Sequence, residues 1–281
     1  MKSIAIILGI TILTSGCQTV KVINKEKDLI NSNIILKKEK LINSSVILKK
    51  ENAREQFNLG FSYAEEGKFD EAVRLMIKSA NNGYVGAEAE LGSIYMLGDF
   101  VVQDYKKAYK WLKISANKGH SMAQYNLGVM YTEGKYINRD YKEAFNWFKK
   151  SASQENAMAQ YNLGVMYNEG KYFNRDYKKA FNWFTKAANQ GYSLAQYNLG
   201  TMFHNGIYVT QDYKEAFNWY KKAANQGYSL AQYNLGVMYY NGTYVNQDYK
   251  EAFNWFKKAA DQGNSEAKTI LNALKKRRNK K

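Results

Sequence analysis

Proline is absent from the 281 residues, cysteine occurs once and histidine twice. Without proline the commonest interruption of a helix is missing, as expected of a chain that is mostly helical. The single cysteine, Cys17, excludes an internal disulfide and any cysteine-based metal cluster. His120 and His204 stand without a second His or Cys at ligand spacing, and neither a glycine-rich phosphate loop nor a nucleophile elbow occurs. Ser-x-x-Lys appears at Ser115–Lys118 and Ser265–Lys268 without the Ser-Asp-Asn and Lys-Thr-Gly companions that give the pair its use in β-lactamases. No cofactor, no metal and no enzymatic activity are expected.

What is present is a formal charge of +16, 45% hydrophobic residues, 23% charged residues and 24 tyrosines. That balance excludes wholesale disorder. The charge is uneven. Residues 1–52 carry nine lysines against four acids, and residues 275–281 carry six basic residues and no acid, leaving an excess of only five on 53–274. A nucleic-acid binder carries its excess as a basic face on the folded part, so no nucleic-acid partner is expected.

At the N-terminus Lys2 precedes the apolar run Ile4–Leu13, long enough for a signal segment and too short to span a bilayer. The run ends Leu13-Thr14-Ser15-Gly16-Cys17, which resembles the bacterial lipoprotein signal, in which small residues precede a Cys that is acylated. The resemblance implies a signal peptide over 1–16, a lipid anchor at Cys17 and attachment to the bacterial envelope. Because Gln18 stands where Asp would favour inner-membrane retention, it implies the outer membrane, with a periplasmic or secreted protein as the alternative. Residues 29–52 repeat one twelve-residue segment. With 17–28 they read as a low-complexity tether, either a solvated spacer or a transient helix on anionic head groups.

The strongest signal is self-similarity. Ala-Gln-Tyr-Asn-Leu-Gly begins at Ala123, Ala159, Ala195 and Ala231, and all five tryptophans (111, 147, 183, 219 and 255) share the same 36-residue register. An earlier copy, Gln56–Gly60, sits four residues out of step. Each unit reads as two helices. Helix A covers about 121–133 and ends near Gly134 and its counterparts. Helix B opens at Asp104, Asp140, Asp176, Asp212 or Asp248, side chains suited to an N-cap. Glu143, Glu215 and Glu251 follow three residues later in the manner of a capping box. Gly119, Gly191, Gly227 and Gly263 suit a left-handed position after helix B. One copy has Glu155 there, and Asn156 is expected to take the left-handed conformation in its place.

The pattern A-x-A-Q-Y-N-L-G-x-M-Y…D-Y-x-x-A-x-x-W resembles the Sel-1-like repeat, a relative of the tetratricopeptide repeat. Six such repeats occupy 53–264, followed over 265–281 by a capping helix and basic tail. Where that family often has a second loop glycine, this chain has Phe100, Tyr136, Tyr172, Tyr208 or Tyr244. The resemblance implies an all-α, right-handed superhelical solenoid of helix-turn-helix repeats, with a groove lined by the A helices and a role as an adaptor for other proteins.

At about 100° per residue, Ala123, Leu127, Gly128, Met130 and Tyr131 share the side of helix A that should pack on Ala144, Trp147 and Phe148. The tryptophans are therefore expected in the core. The opposite side gives ladders of Tyr125, Tyr161, Tyr197, Tyr233 and of Asn126, Asn162, Asn198, Asn234. Tyrosine offers a rigid contact surface with a polar tip, and asparagine reads a peptide backbone. These ladders are candidates for binding a partner peptide or helix; identical residues in every unit are equally what packing between repeats requires. His204 and Tyr240 belong to a set that varies between units and could set specificity. The expected function is a non-enzymatic protein-interaction scaffold of the envelope. The alternatives are a surface-exposed factor engaging host proteins and, behind it, a cell-wall hydrolase or β-lactamase-like enzyme. Exposed end repeats leave self-association open.

Overall fold

The computed structural model describes residues 16–278, so all but the last residue of the expected signal peptide over 1–16 and the last three residues of the basic tail lie outside the described residues. Thirteen helices and no strand occur among them: α1 (Gly16–Glu65), α2 (Phe69–Asn81), α3 (Val85–Leu97), α4 (Tyr105–Asn117), α5 (Ser121–Glu133), α6 (Tyr141–Ala152), α7 (Ala157–Glu169), α8 (Tyr177–Asn189), α9 (Ser193–Asn205), α10 (Tyr213–Asn225), α11 (Ser229–Asn241), α12 (Tyr249–Asp261) and α13 (Ser265–Arg278). Each helix packs on the next, most extensively in the pairs α1–α2 through α11–α12. The result is an all-α solenoid of helix-turn-helix units, in which odd-numbered helices are A helices and even-numbered ones are B helices.

The stretch expected to be a tether is the first part of α1, which continues without a break into the first A helix. Neither glycine nor proline occurs between Cys17 and Leu59 to stop a helix propagating from the packed end. Its apolar side chains, including Leu41 and Leu48, stand exposed.

Local chemistry sets the units' boundaries. Asp140, Asp212 and Asp248 each accept two amides of the first turn at 2.9 and 3.0 Å; Asp104 and Asp176 accept one each. The expected capping box is only half present. The amide of Asp140 already donates to the Tyr131 carbonyl at 3.0 Å, with the same bond in the other units, so the glutamates have no amide to reach back to. After the B helices, Gly119, Gly191, Gly227 and Gly263 have φ between +91° and +96°. The expectation for Glu155 is corrected: Glu155 itself adopts φ +62°. Asn156 stays extended and caps α7 by accepting the Ala159 amide at 2.9 Å. That bond competes with a left-handed Asn156 and wins.

Between helices, close approach is set by glycine. A Cβ on Gly128, Gly164, Gly200 or Gly236 would lie 2.6–2.8 Å from the ring of Phe148, Phe184, Tyr220 or Phe256. In α13 the corresponding residue is Asn272, and no further B helix follows among the described residues.

A polar latch also closes every unit. Gln154, Gln190, Gln226 and Gln262, at the ends of B helices, donate at 2.8 Å to Gln124, Gln160, Gln196 and Gln232 of the paired A helices. Those buried A-helix glutamines in turn donate to a carbonyl at the end of the preceding B helix, as Gln124 does to Ala116 at 3.1 Å. One amide thus ties three helices. Asn82 and Gln56 form the latch of the first unit, and an ion pair of Lys118 with Glu88 replaces it in the second. Ser115 donates to the Val85 carbonyl, so the Ser115–Lys118 pair serves packing.

Candidate protein-interaction surface

The A helices of neighbouring units touch directly, as α3 does α5, and their outward side chains form one continuous face. Tyr125, Tyr161, Tyr197 and Tyr233 lie half-buried along it. Each ring rests on an aromatic of its own B helix, at 5.9 Å from Phe148, 5.7 Å from Phe184, 5.8 Å from Tyr220 and 5.8 Å from Phe256 respectively. Tyr161 and Tyr197 also meet Tyr192 and Tyr228 of the following unit at 5.2 and 5.1 Å.

The tyrosines reach across units. Tyr125 stands beside Asn162 and Tyr161 beside Asn198, while Asn234 lies near Tyr220, whose hydroxyl donates to Thr201. Asn126 donates to Ser93 of the preceding A helix at 2.9 Å, and Asn162 donates to the Met158 carbonyl in its own helix. Burial raises the Tyr125 and Tyr161 hydroxyls above their ordinary range, with the asparagine contact pulling the other way, so both stay protonated at neutral pH. Two members of each ladder, Tyr125 with Asn162 and Tyr161 with Asn198, are thus brought side by side between repeats, and all four tyrosines stay half-buried.

His204 and Tyr240 are placed differently. His204 lies edge-on to Tyr213 at 5.2 Å, and Tyr240 edge-on to Tyr249 at 5.3 Å, each leaning on the start of its own B helix. His204 Nδ1 is buried without a hydrogen-bond partner. Around these ladders the surface is filled by Met122 and Leu230 and by the exposed carboxylates Glu133 and Glu169. Cys17 is the second residue of α1.

A charge pattern separates the two faces, and unit-by-unit comparison of the helices would have revealed it. The A helices α3, α5, α7, α9 and α11 contain no lysine or arginine. The B helices α4, α6, α8, α10 and α12 carry sixteen lysines against four acids. On this second face the tryptophans depart from the expected core position. Trp147 and Trp255 are buried, but Trp111, Trp183 and Trp219 are only half-buried. In five units a lysine ammonium covers the ring, at 3.8 Å in the pair Lys222 and Trp219 and at 4.1 Å in the pairs Lys150 with Trp147 and Lys258 with Trp255. The A-helix face therefore suits a neutral or cationic polypeptide, and the B-helix face is a lysine surface over shielded indoles.

Among the described residues no group of three or more His, Cys, Asp or Glu is placed to hold a metal ion, and no helix is long and apolar enough to cross a membrane. The repeat pattern known as the Sel1 repeat matches six consecutive segments: 56–84, 85–120, 121–156, 157–192, 193–228 and 229–264. No curated protein matches the chain. Among solved structures, a protective antigen of uropathogenic Escherichia coli displaying an SLR fold is 37% identical, with a TM-score of 0.73 over 82% of this chain and 51% of its own. The chain thus spans about half the length of that antigen. A Sel1 repeat protein from Oxalobacter formigenes is 31% identical, with a TM-score of 0.74 over 78% of this chain and 89% of its own. The immunity protein Pa5087 of Pseudomonas aeruginosa, 21% identical with a TM-score of 0.50 over 74% of this chain and 81% of its own, shares the fold.

Proposed function

The chain belongs to the Sel1 repeat family, and from that premise we propose that it is a non-enzymatic scaffold of the bacterial envelope, anchored by lipid at Cys17, that holds a segment of a partner protein against the A-helix face. Sel1 repeat proteins generally mediate protein–protein interactions. The observation that carries the reading is the absence of lysine and arginine from five successive A helices, the last four of which carry half-exposed tyrosines. Such a face offers rigid aromatic area, and its exposed Glu133 favours a partner segment that brings positive charge, while Glu169 already pairs with Lys171 at 2.6 Å.

Affinity capture from detergent-solubilised envelopes tests it. The full chain is compared with a Glu133→Arg, Glu169→Arg variant, whose changes are at exposed positions. Loss of the captured protein with unchanged helical circular dichroism supports the A-helix face, and equal capture sends the site elsewhere. For the anchor, Cys17→Ser abolishes incorporation of labelled palmitate if Cys17 is acylated. A second reading, an outward-facing factor that meets host proteins, draws on the likeness to the protective antigen. Protease shaving of intact cells degrades the protein under that reading and leaves it whole if it faces the periplasm.

A further inference from the structure

The turns between A and B helices contain the residues that pay most in backbone strain. Phe100, Tyr136, Tyr172, Tyr208 and Tyr244 adopt φ between +65° and +77°, where a non-glycine residue costs about 1–2 kcal/mol. The ring is therefore kept against a standing penalty in five consecutive units. One side of each ring is anchored on an aromatic of the preceding unit, stacked at 4.5 Å for Phe100 on Phe69 and tilted at 5.6–5.9 Å for the four tyrosines. The rings nevertheless remain 43–53% exposed. Phe61 apart, every exposed aromatic among the described residues lies in these turns or at the first position of the helix after them. Two residues beyond each tyrosine stands an exposed short polar side chain: Asn138, Asn174, Thr210 and Asn246.

In the four tyrosine units the result is a rigid edge that repeats ring, then amide or hydroxyl, with the period of the units; the Phe100 unit has the exposed Val102 in the second place. Identical, pre-positioned rings in successive units match a ligand whose own chemistry repeats. Ring faces pack on the C–H faces of pyranoses, and the flanking amides match acetamido groups. We infer that this turn edge binds an extended polysaccharide of acetamido sugars, on a surface separate from the A-helix face and without dependence on any partner there.

The test uses the full chain with chito-oligosaccharides of two, four and six sugars, followed by calorimetry, and with insoluble peptidoglycan in a pull-down. Affinity is expected to rise about tenfold or more from the disaccharide to the hexasaccharide as successive rings engage. Replacing Tyr136, Tyr172 and Tyr208 together by Gly removes the rings and relieves the strain, and should weaken hexasaccharide binding about tenfold. The corresponding triple Phe variant should stay within about threefold of the parent. If the triple Gly variant melts early, Tyr136→Gly and Tyr208→Gly singly should each lose about threefold. The inference is overturned if the parent binds neither ligand, if affinity is independent of length, if the Gly variants bind as the parent does, or if the edge retains a protein that the hexasaccharide does not displace.

Discussion

The latch of the second unit sets up a double-mutant cycle whose outcome follows from burial. Glu88 is 2% exposed and its Oε2 has no partner, whereas the Lys118 side chain that pairs with Oε1 is 40% exposed. The two partners are therefore unequal. Lys118→Gln leaves a buried carboxylate without its counter-charge, a change that costs about 3–5 kcal/mol in a fully enclosed pair. Solvent already reaches the ammonium here, which places the expected loss nearer about 2–3 kcal/mol. Glu88→Gln leaves a lysine that turns to water and a buried amide, at about 1 kcal/mol. The double variant Glu88→Gln, Lys118→Gln recreates the amide pair that closes the four later units, so it should come within about 1 kcal/mol of the parent. Urea unfolding followed by circular dichroism measures the cycle. Hydrogen exchange in α3 and α4 localises it, because a repeat array need not unfold as one cooperative unit. Equal costs for the two single variants, or costs that simply add in the double, would refute the reasoning.

Three other perturbations have a worked sign. Gly164→Ala places a methyl 2.6 Å from the Phe184 ring, so thermal melting should show a loss of about 1–3 kcal/mol, partly recovered when Phe184→Leu is added. Glu155→Gly relieves φ +62° and should raise stability by about 1 kcal/mol in the same assay. His120 accepts the Ala123 amide through Nδ1 at 3.4 Å, and burial pushes its pKa below the ordinary value. The unfolded chain thus takes up the proton first. The contribution of His120 is complete above its unfolded pKa of about 6.5 and fades as pH falls below it. In His120→Asn, which caps as Asn156 does, that part of the pH dependence below about pH 6.5 should disappear from the melting curve.

The array was legible because helices, caps and glycines recur at one interval. The A-helix span 121–133 and the aspartate caps can be read from spacing alone, since Asp at a fixed offset before an amphipathic stretch has one efficient use. The latch escaped because its two halves are thirty residues apart and change identity together: Gln154 with Gln124, but Lys118 with Glu88. A pair that swaps amides for an ion pair looks like two unrelated variable positions until distance joins them. Glu155 was misread because rules for left-handed backbone favour Asn, while the neighbouring helix needed the Asn156 side chain as its cap. The ladders of Tyr125 and Asn162 were visible as a face, yet the approach of one to the other between units is a property of superhelical stacking that no single unit contains.

Asn272 gives the array a direction of growth. Every complete unit has a bare Cα where its B helix packs, against Met76 and Leu112 in the first two units and a ring in the other four, and α13 has an amide side chain at that position. A duplicated segment joined after Arg278 would bring its first B-helix ring against that amide and find no seat. The same 36 residues spliced between Tyr228 and Ser229 would meet Gly236 and its partners on both sides and leave both ends untouched. The array can lengthen from within, as a string of beads does, because an inserted unit finds a glycine seat on both of its sides.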